Sequence, residues 1–431
     1  MKHLFFGGVH PADRKELSSA CLPVPAPVPA QVVIPMSQHI GAPCTPLVKV
    51  GDTVKMSQKI GDGEGMCVPV HASVSGKVIA VEPRRHPNGT MVMSVVIEND
   101  FLDTRDERHI PHPNPDALTD TEIVEIIGEA GLVGMGGATF PTEIKALSAM
   151  GKVDTVIINA CECEPYITVD DVLLRTEPKQ VIEGLRLLCR VLQPEKAVIA
   201  VEDNKKEAIS ILKDILSKDP QVELKVLPTR YPQGAEKQLI QAVTGRQVPP
   251  GGLPASVGCA VFNTATAAAV FKAIYQGEPV IRRIVTVTGE GVARPGNYLV
   301  PIGTSFADLI AAAGGLKVSA HKVIAGGPMM GRAQTDLTVG VVKATNCVLC
   351  LPQQSLEPKA RCIRCGRCVR ACPSRLQPLY LYRFADRPRE LARLHLVDCI
   401  ECGCCSYTCP VKLPLTEQFA AAKRRRKEET P

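Results

Sequence analysis

Short apolar runs separated by polar turns give way along this 431-residue chain to longer stretches of helical periodicity. Between about 31 and 100 the runs are brief and bounded by glycine and aspartate, which predicts a small all-strand module. Between about 117 and 280 strand-like and helical segments alternate, which favours a parallel α/β sheet. The predicted strands of this region are 153–158, 197–201 and 222–227, and its predicted helices are 181–192, 205–216 and 235–243.

Local motifs in the sequence mark where these regions begin and end. Thr119 stands three residues before Glu122, ahead of apolar positions at helical spacing, so a capped helix is expected to begin there. Beyond residue 281, two strand-like runs and a helix at 305–313 predict a small β-grasp-like module. The expected division of the chain is an extended lead-in at 1–30, an all-strand module at 31–105, an α/β domain at 117–280, a β-grasp-like module at 281–345, a cysteine-rich segment at 346–415 and a basic tail at 416–431.

The all-strand module resembles the flattened barrel of biotinyl and lipoyl carrier domains. The resemblance rests on a Val-Gly-Asp-x-Val phrase around Gly51 and a His-Ala-x-Val-x-Gly-x-Val phrase that begins at His71. Residues 62–68 correspond to the hairpin on which a carrier bears its modified lysine, and they contain no Lys. We therefore expect a barrel-sandwich hybrid with a structural or docking role.

Composition narrows the class of protein. The net charge is +6, and much of it lies in the cysteine-rich segment and the tail, where a basic face suits an acidic redox partner. Aromatic-studded basic patches are missing, so no nucleic-acid partner is expected. No run of 18 apolar residues occurs, so no membrane span is expected. Eighteen cysteines without a signal peptide predict the reducing cytoplasm.

One cysteine spacing occurs twice near the C-terminus. Each run has three cysteines at two-residue gaps, and a Cys-Pro pair follows after three further residues. Bacterial ferredoxins hold [4Fe–4S] clusters with this spacing, and the fourth ligand of each cluster comes from the other run. Zinc ribbons also use C-x-x-C pairs, but a tetrahedral zinc site does not need the third cysteine or the Cys-Pro. The expected ligands are Cys362, Cys365, Cys368 and Cys409 for cluster 1 and Cys399, Cys402, Cys405 and Cys372 for cluster 2.

The other cysteines have less defined roles. Cys347 and Cys350 form a lone C-x-x-C, which is either a redox or metal-binding pair or a plain turn. Cys404 lies off the register of the second run and is expected to be a spare thiol. Small buried hydrophobic roles are expected for the scattered cysteines, which are Cys21, Cys44, Cys67, Cys189 and Cys259.

A glycine-rich stretch is the second chemical feature. Gly131, Gly134, Gly136 and Gly137 precede Lys145. Glycines let a backbone approach a phosphate or a flat ring closely, and a lysine near the start of a helix supplies positive charge. The stretch is not a dinucleotide fingerprint, because a helix precedes it where a strand is needed, and no Gly-Lys-Ser/Thr makes it a P-loop. Taken alone, such a turn is as often structural as ligand-binding.

Three further motifs follow this glycine loop in the chain. In this order the four motifs resemble the flavin- and NADH-binding subunit of respiratory complex I. The barrel ahead of them, the Gly-Gly-Val-His-Pro start and the double cysteine run resemble the RnfC (RsxC) family more closely, over nearly the whole chain; its members belong to the Rnf (Rsx) ion-translocating electron transport complex. The three motifs are Asn159-Ala-Cys161-Glu-Cys163-Glu164, Tyr231-Pro-Gln-Gly234-Ala-Glu236 and Phe262-Asn263-Thr-Ala-Thr266.

The resemblance implies a multidomain α/β protein: barrel-sandwich hybrid, complex I-type FMN/NADH-binding domain, SLBB-like β-grasp and α-helical two-cluster ferredoxin domain. It also implies non-covalent FMN, with NADH stacked beside it as substrate and no acid–base catalytic residue. Cys161 and Cys163 then become packing or flavin-adjacent thiols. The chain departs from the complex I pattern at 235–236, where paired acids are usual, and at 262–263, where a double Asn is usual. The implied FMN residues are Gly134, Gly136, Gly137, Lys145, Asn159, Gly234, Asn263 and Thr266, and the implied NADH residues are Phe140, Glu164 and Glu236.

Electron counts set the implied function. NADH exchanges two electrons, an iron–sulfur cluster exchanges one and a flavin can do both, so the expected order is NAD(H), FMN and clusters. The resemblance implies a peripheral subunit of a ferredoxin:NAD oxidoreductase at the cytoplasmic face of the cell membrane. Its partners would be integral-membrane and iron–sulfur subunits, with ferredoxin reached indirectly. Two alternatives stay open: a flavin/iron–sulfur cobalamin reductase of a metabolic microcompartment, and an electron-wiring protein without flavin.

Overall fold

The structure, a computed structural model, describes residues 5–108, 110–353 and 361–429, with side chains as far as Arg425. The start of the expected lead-in, part of the cysteine-rich segment and the end of the expected tail lie outside the described residues. Within them, the elements follow in the order that the hydrophobic pattern predicts. No described helix is both long enough and apolar enough to cross a lipid bilayer.

Two small antiparallel sheets form the N-terminal module. Its strands, with one from the lead-in, are β1 (Val24–Pro25), β2 (Gln31–Pro35), β3 (Thr45–Pro46), β4 (Thr53–Val54), β5 (Lys59–Asp62), β6 (Val70–His71), β7 (Gly76–Arg85) and β8 (Met91–Asn99). The sheets have the strand orders β2-β8-β7-β4 and β3-β5-β6. Apolar side chains such as Val32, Ile34 and Val78 are fully buried in the core. This confirms the all-strand module that the turn-separated apolar runs predict.

The α/β region is built around one parallel sheet. Its elements are α1 (Asp120–Glu129), α2 (Thr142–Ala149), β9 (Thr155–Ala160), α3 (Val169–Thr176), α4 (Pro178–Leu192), β10 (Lys196–Glu202), α5 (Lys206–Leu216), β11 (Val222–Leu227), α6 (Glu236–Thr244), β12 (Cys259–Asn263) and α7 (Thr264–Gln276). The strand order is β11-β10-β9-β12, with every pairing parallel. The order reverses at β9, because its neighbours are the next strand and the last one. Such sheets bind ligands outside the carboxyl ends of the strands at this reversal, here between β9 and β12.

The predicted elements of this region all occur, with their ends shifted by a few residues. The helix predicted at 181–192 begins at Pro178, because proline is accepted in the first turn. The expected capping box is present. Thr119 Oγ1 accepts from the Glu122 amide at 3.3 Å, and Glu122 Oε2 accepts from the Thr119 amide at 2.7 Å. These two bonds fix the start of α1.

A mixed sheet and one helix form the module after residue 281. Its elements are β13 (Arg282–Thr288), β14 (Gly296–Pro301), α8 (Phe306–Ala312), β15 (Ala320–Ala325), β16 (Arg332–Gln334) and β17 (Cys347–Pro352). The strand order is β1-β14-β13-β17-β15-β16, so the lead-in supplies an edge strand. Val285, Val300 and Phe306 belong to the same core as Val32 and Ile34 of the barrel. The two modules therefore share one hydrophobic core.

The lead-in is packed against the rest of the molecule rather than merely extended. Lys15 lies in a short 3-10 helix and is buried, and its Nζ donates to the carbonyl oxygens of Glu164, at 3.0 Å, and Ile167. The amide of Gly8 donates to the carbonyl of Ala371 at 2.9 Å. The first residues of the chain thus join the α/β region to the cysteine-rich segment.

Helices around a small core form the cysteine-rich segment. They are α9 (Arg367–Ala371), α10 (Pro378–Arg383), α11 (Pro388–Arg393), α12 (Cys404–Tyr407) and α13 (Leu415–Glu429). Cysteines of both runs are buried in this core beside Leu381 and Leu396. Most residues of the expected tail lie within α13, and Phe419 and Ala422 are buried in the same core. Helix α13 therefore packs against the core of the cysteine-rich segment.

Candidate functional site

The glycine loop connects α1 to α2 and is closed by its own backbone. The Gly134 amide donates to the Phe140 carbonyl at 2.9 Å, and the Thr139 amide donates to the Gly134 carbonyl at 3.0 Å. Thr266 Oγ1 accepts from the Met135 amide at 2.9 Å. Thr266 is buried, so it braces the loop from beneath.

The tip of this loop presents free amide groups. Gly136, Gly137 and Ala138 are exposed, and their amides donate to no acceptor in the described part of the chain. Gly137 has φ +117°, a conformation that favours glycine, and a Cβ there would meet nothing within 4 Å. Unpaired amides on an open turn form a concavity that binds anions. The tip therefore fits a phosphate group such as that of FMN.

Asn159 and Asn263 stand side by side at the carboxyl ends of β9 and β12, where the strand order reverses. Asn159 Nδ2 donates to the carbonyl of Gly234 at 2.8 Å. Asn263 caps α7 with its Oδ1 and donates from Nδ2 to Asp170 Oδ2 at 2.9 Å. A Cβ on Gly136 would lie 3.3 Å from Asn263 Cβ. The two asparagines thus hold the loops that surround this crevice.

Gly234 lies at a close backbone approach. A Cβ on Gly234 would be 2.2 Å from the carbonyl oxygen of Cys161, which no side chain permits. Its amide lies 3.3 Å from Cys163 Sγ and donates to it. Burial raises the pKa of both thiols, so burial favours their protonated form under the loop. The glycine therefore allows residues 231–234 to pass directly over the end of β9.

Lys145 and Glu236 meet at the edge of the crevice. Lys145 Nζ lies 2.8 Å from Glu236 Oε1, donates to the carbonyl of Val261 at 2.8 Å and sits 5.7 Å from the centre of the Phe262 ring. The two charged side chains are 28% and 40% exposed, so both remain open to a ligand. The resemblance assigns Lys145 to FMN and Glu236 to NADH.

Glu164 binds the 327–331 loop. Its Oε1 accepts from the amides of Met329 and Met330 at 2.7 and 3.1 Å, and burial raises the pKa of its carboxyl group. Among the described contacts none joins Glu164 to Phe140, which belongs to the glycine loop. In this structure Glu164 therefore holds the 327–331 loop, and its implied role at NADH stays a prediction.

The buried charges beneath the crevice were missed at the sequence level. Burial raises the pKa of Asp170 to about 6 and lowers the pKa of Arg283 to about 10. Glu162 Oε1 accepts from the Asp170 amide at 2.8 Å, and Glu162 lies 3.7 Å from Lys15. Two consecutive aspartates in an apolar helix were the available signal. Asp170 orients the side chain of Asn263 and so belongs to the crevice.

The eight cysteines of the two runs surround two separate cavities. Both cavities also carry apolar side chains, such as Leu413 in the first and Phe419 in the second. Cavity 1 is lined by Cys362, Cys365, Cys368 and Cys409, and cavity 2 by Cys372, Cys399, Cys402, Cys405 and Cys404. The chain thus brings three cysteines of one run together with the fourth of the other, on both sides.

This arrangement fits a cluster better than a single metal ion. In the described chain no three His, Cys, Asp or Glu side chains are grouped so that they could hold one ion. A [4Fe–4S] cluster takes four thiolates, one on each iron, and so needs them further apart. Cys404 lines cavity 2 as a fifth cysteine, but its Sγ points toward the carbonyl of Tyr231 at 4.0 Å. Four cysteines thus remain for each cluster.

Cys347 and Cys350 form neither a turn nor a pair. Both lie in β17, and successive side chains of a strand point to opposite faces, so a spacing of three separates them. Cys347 is buried in one core cluster with Ile167, and Cys350 in the core shared by the barrel and the β-grasp module. This geometry excludes a disulfide between the two cysteines and their joint binding of one metal ion.

Cavity 2 adjoins the crevice of the α/β region. Tyr231 Oη donates to the carbonyl of Cys402 at 2.8 Å, and Gln238 Nε2 of α6 donates to the carbonyl of Pro373 at 3.4 Å. Tyr231 begins the same short loop whose Gly234 is held by Asn159. One four-residue loop therefore contacts both the candidate flavin site and a candidate cluster site.

Four family models match the chain in succession. They are the RnfC barrel sandwich hybrid domain at 3–102, the Nuo51 FMN-binding domain at 127–272, the SLBB domain at 284–333 and the 4Fe-4S dicluster domain at 361–413. The C subunit of the Na⁺-translocating ferredoxin:NAD⁺ oxidoreductase complex of Acetobacterium woodii is 46% identical over 393 residues, which are 90% of this chain and 88% of that protein. The chain belongs to the RnfC family. The predicted fold class and the predicted FMN and [4Fe–4S] cofactors are thereby confirmed.

Other relatives show the extent of the family likeness. The C subunit of the proton-translocating ferredoxin:NAD⁺ oxidoreductase complex of Clostridium ljungdahlii is 42% identical, over 88% of this chain and 83% of its own length. The C subunit of the ion-translocating oxidoreductase complex of Serratia proteamaculans is 44% identical over 97% of this chain, which spans 60% of that longer protein. A crystal structure of an NAD⁺-reducing [NiFe]-hydrogenase in the H₂-reduced state has the same fold, with a TM-score of 0.50 and 20% identity over 74% of this chain and 63% of that chain.

Proposed function

We propose that this chain passes electrons between NAD(H) and two [4Fe–4S] clusters through FMN. It does so as a peripheral subunit of an ion-translocating ferredoxin:NAD oxidoreductase, at the cytoplasmic face of the cell membrane. The observation that carries the proposal is the Tyr231–Gly234 loop, which touches Asn159 at the crevice and Cys402 at cavity 2. The relatives named as ferredoxin:NAD⁺ oxidoreductases differ in their coupling ion, so the proposal leaves the ion open.

The crevice residues divide the work of holding the flavin. Bound FMN supplies the exchange between two-electron and one-electron transfer. The free amides of 136–138 and the ammonium of Lys145 bind its phosphate, since backbone N–H groups and a cation together favour an anion. Asn159 and Asn263 orient the loops around the ring, and Thr266 keeps the glycine loop in place from below.

The proposed dinucleotide site lies on the open side of the same loop. Phe140 is half-buried at the end of the glycine loop, where its ring can stack on the adenine of NADH. Glu236 is the first residue of α6 and reaches the crevice beside Lys145, where its carboxylate can accept from ribose hydroxyls. Glu164 is left out of this site, because its carboxylate is already held by two amides.

The two cavities differ in exposure, and this sets their proposed order. Cys402 and Cys405 of cavity 2 are buried and Cys402 contacts Tyr231, whereas Cys362 and Cys365 of cavity 1 are exposed. Electrons exchanged with the flavin therefore pass first through cavity 2. Cavity 1 then forms the outer end of the path, where an external partner exchanges electrons with the chain.

Positive charge surrounds the outer cavity. Residues 361–385 contain no Asp or Glu, and the arginines among them are Arg361, Arg364, Arg367, Arg370, Arg375 and Arg383. Such a surface steers a negatively charged partner toward the exposed cysteines and speeds its association at low salt. The partner proposed here is an acidic iron–sulfur protein or subunit of the same complex.

Anaerobic reconstitution tests the whole proposal. The chain is purified with iron, sulfide and FMN, and NADH is then offered with a one-electron acceptor dye. We expect a flavin absorption band above the broad cluster absorption, and NADH-dependent dye reduction that requires FMN. Clusters without a flavin band would indicate the electron-wiring alternative. NADH-dependent reduction of cobalamin, with no exchange with ferredoxin when the partner subunits are added, would indicate the microcompartment reductase.

A further inference from the structure

Two cysteines of the barrel lie in contact, outside the residues that hold FMN or the clusters. The sulfur atoms of Cys44 and Cys67 are 3.2 Å apart, and an S–S bond is about 2.05 Å long. Glycines make the room: a Cβ on Gly61 would lie 3.3 Å from Cys44 Cβ, and one on Gly63 would lie 3.2 Å from Cys67 Sγ. The sequence alone gives each cysteine a separate packing role, which this contact corrects.

The two thiols differ in access. Cys67 is half-buried and reachable from solvent, whereas Cys44 is buried and donates to the carbonyl of Val68 at 3.1 Å. Burial raises the pKa of Cys44 to about 12, so this thiol keeps its proton. An oxidant therefore meets Cys67 first, and Cys44 is placed to react second.

A buried cation stands beside the pair. Lys343 is 1% exposed, and its Nζ donates to the carbonyls of Pro69 and Gly131 at 2.8 and 2.7 Å. In the described chain no carboxylate forms an ion pair with Lys343. Burial lowers the pKa of Lys343 to about 8, and the charged forms of Cys44 and Cys67 raise it. A nearby cation promotes thiolate reactivity.

We propose that Cys44 and Cys67 form a reversible intrachain disulfide when the protein meets hydrogen peroxide. The Cys67 thiol loses its proton, its thiolate attacks peroxide, the O–O bond breaks, and Cys67 becomes a sulfenic acid while the departing hydroxide takes up that proton and leaves as the first water. The Cys44 sulfur then attacks Cys67 Sγ, the S–O bond breaks, and the second water carries away the Cys44 proton. Two thiols have been oxidised by two electrons, and one peroxide has been reduced to two waters.

Two contacts join the surroundings of the pair to the glycine loop. The Ile40 amide of the barrel donates to the Thr139 carbonyl at 3.1 Å, and Lys343 of the β-grasp module binds the Gly131 carbonyl. The disulfide would fix the barrel side of this contact. Its formation does not depend on bound flavin, so its test is separate from that of the proposed function.

The test uses the holoprotein, titrated anaerobically with hydrogen peroxide while its iron content is followed. Free thiols are blocked with N-ethylmaleimide, and tryptic peptides are analysed by mass spectrometry without reduction. We expect a linked pair of peptides, residues 16–49 with residues 60–77, at peroxide doses that leave the iron in place. Dithiothreitol should release both peptides.

Three variants show which cysteines form the disulfide. Cys44→Ser should abolish the link and leave Cys67 as a sulfenic acid that dimedone traps, and Cys67→Ser should leave Cys44 unmodified. Cys21→Ser is the matched control, since Cys21 lies in the same tryptic peptide as Cys44, and it should keep the link. A link that survives Cys44→Ser, or the absence of a link at every dose that leaves the iron in place, would overturn the proposal.

Discussion

Lys145 and Glu236 form an ion pair across the edge of the flavin crevice, with 2.8 Å between Nζ and Oε1. The pair joins a residue of the glycine-loop helix α2 to the first residue of α6. An anionic ligand and the carboxylate of Glu236 therefore compete for the same ammonium group. This relationship gives the two residues opposite expected effects on flavin binding.

Replacing Lys145 should weaken FMN binding more than it disturbs folding. In Lys145→Ala the phosphate loses a charge-assisted contact of about 1.5–3 kcal/mol, which corresponds to a roughly ten- to hundredfold weaker affinity. Quenching of flavin fluorescence during titration of the flavin-free protein measures the change. Lys152→Ala is the control, since Lys152 is exposed and its Nζ donates to the Ser148 carbonyl of its own neighbourhood. Unchanged affinity in Lys145→Ala would show that other groups hold the phosphate.

Glu236→Gln should act in the opposite direction on the flavin. The substitution removes the competing carboxylate from Lys145, so FMN affinity should stay the same or rise. The apparent Michaelis constant for NADH should rise several-fold, because the proposed acceptor of the ribose hydroxyls loses its charge. Both quantities come from one reconstituted sample. Weaker FMN binding together with an unchanged Michaelis constant for NADH would contradict the proposed role of Glu236.

Gly134→Ala tests whether a ligand approaches the glycine loop closely. A Cβ at this position would lie 3.7 Å from Phe140 atoms, an ordinary contact, so the variant should fold with an unchanged melting temperature in the flavin-free form. If FMN packs against the loop, its affinity should fall. Gly234→Ala is a contrasting variant that should fold poorly, because its Cβ would overlap the Cys161 carbonyl. Normal FMN affinity in Gly134→Ala would place the flavin away from this residue.

Phe140 and Glu164 should separate in their effects. Loss of an aromatic stacking partner costs about 0.5–1.5 kcal/mol beyond the buried area, so Phe140→Ala should raise the Michaelis constant for NADH several-fold with flavin content unchanged. Glu164→Gln weakens the bonds to Met329 and Met330 and should lower the melting temperature with little effect on that constant. A large kinetic effect of Glu164→Gln in a stable protein would restore its sequence-based role at the nicotinamide.

Each cysteine cavity should hold its cluster independently. Cys365→Ala and Cys402→Ala each remove one ligand of one four-iron centre, so iron content should fall by about half while flavin remains. Cys189→Ala is the control, because Cys189 is a half-buried packing residue of α4. Iron analysis together with the visible spectrum measures the outcome, and full iron in either ligand variant would refute the ligand assignment.

Local patterns determined much of this protein in advance. The capping box at Thr119, the alternation of strands and helices and the two cysteine runs each depend on residues close together in sequence. The spacing of three cysteines within seven residues specifies a loop around one cluster whatever the rest of the chain does. For this reason the fold class and the cofactors could be predicted from the sequence and its resemblance.

Only the tertiary structure decided which distant residues meet. The strand reversal at β9 brings Asn159 beside Asn263, and the loop before α6 brings Glu236 to Lys145. The same packing turns Glu164 toward Met329. Burial, loop closure and the order of strands in the sheet decide which of these residues meet. These contacts join residues far apart in the chain, so no periodic pattern in the sequence reveals them.

Two pairs of cysteines show most clearly what the sequence determines and what only the tertiary structure decides. Cys347 and Cys350 are near in sequence, yet the two-residue period of β17 separates them into different cores. Cys44 and Cys67 are 23 residues apart, yet the strands between them return their sulfur atoms to contact. Spacing along the chain predicts a contact only when both residues lie in one short backbone segment of known conformation. Contact between Cys44 and Cys67 depends on the turns of the barrel, which set how its strands pair. The sequence does not place those turns to within a residue.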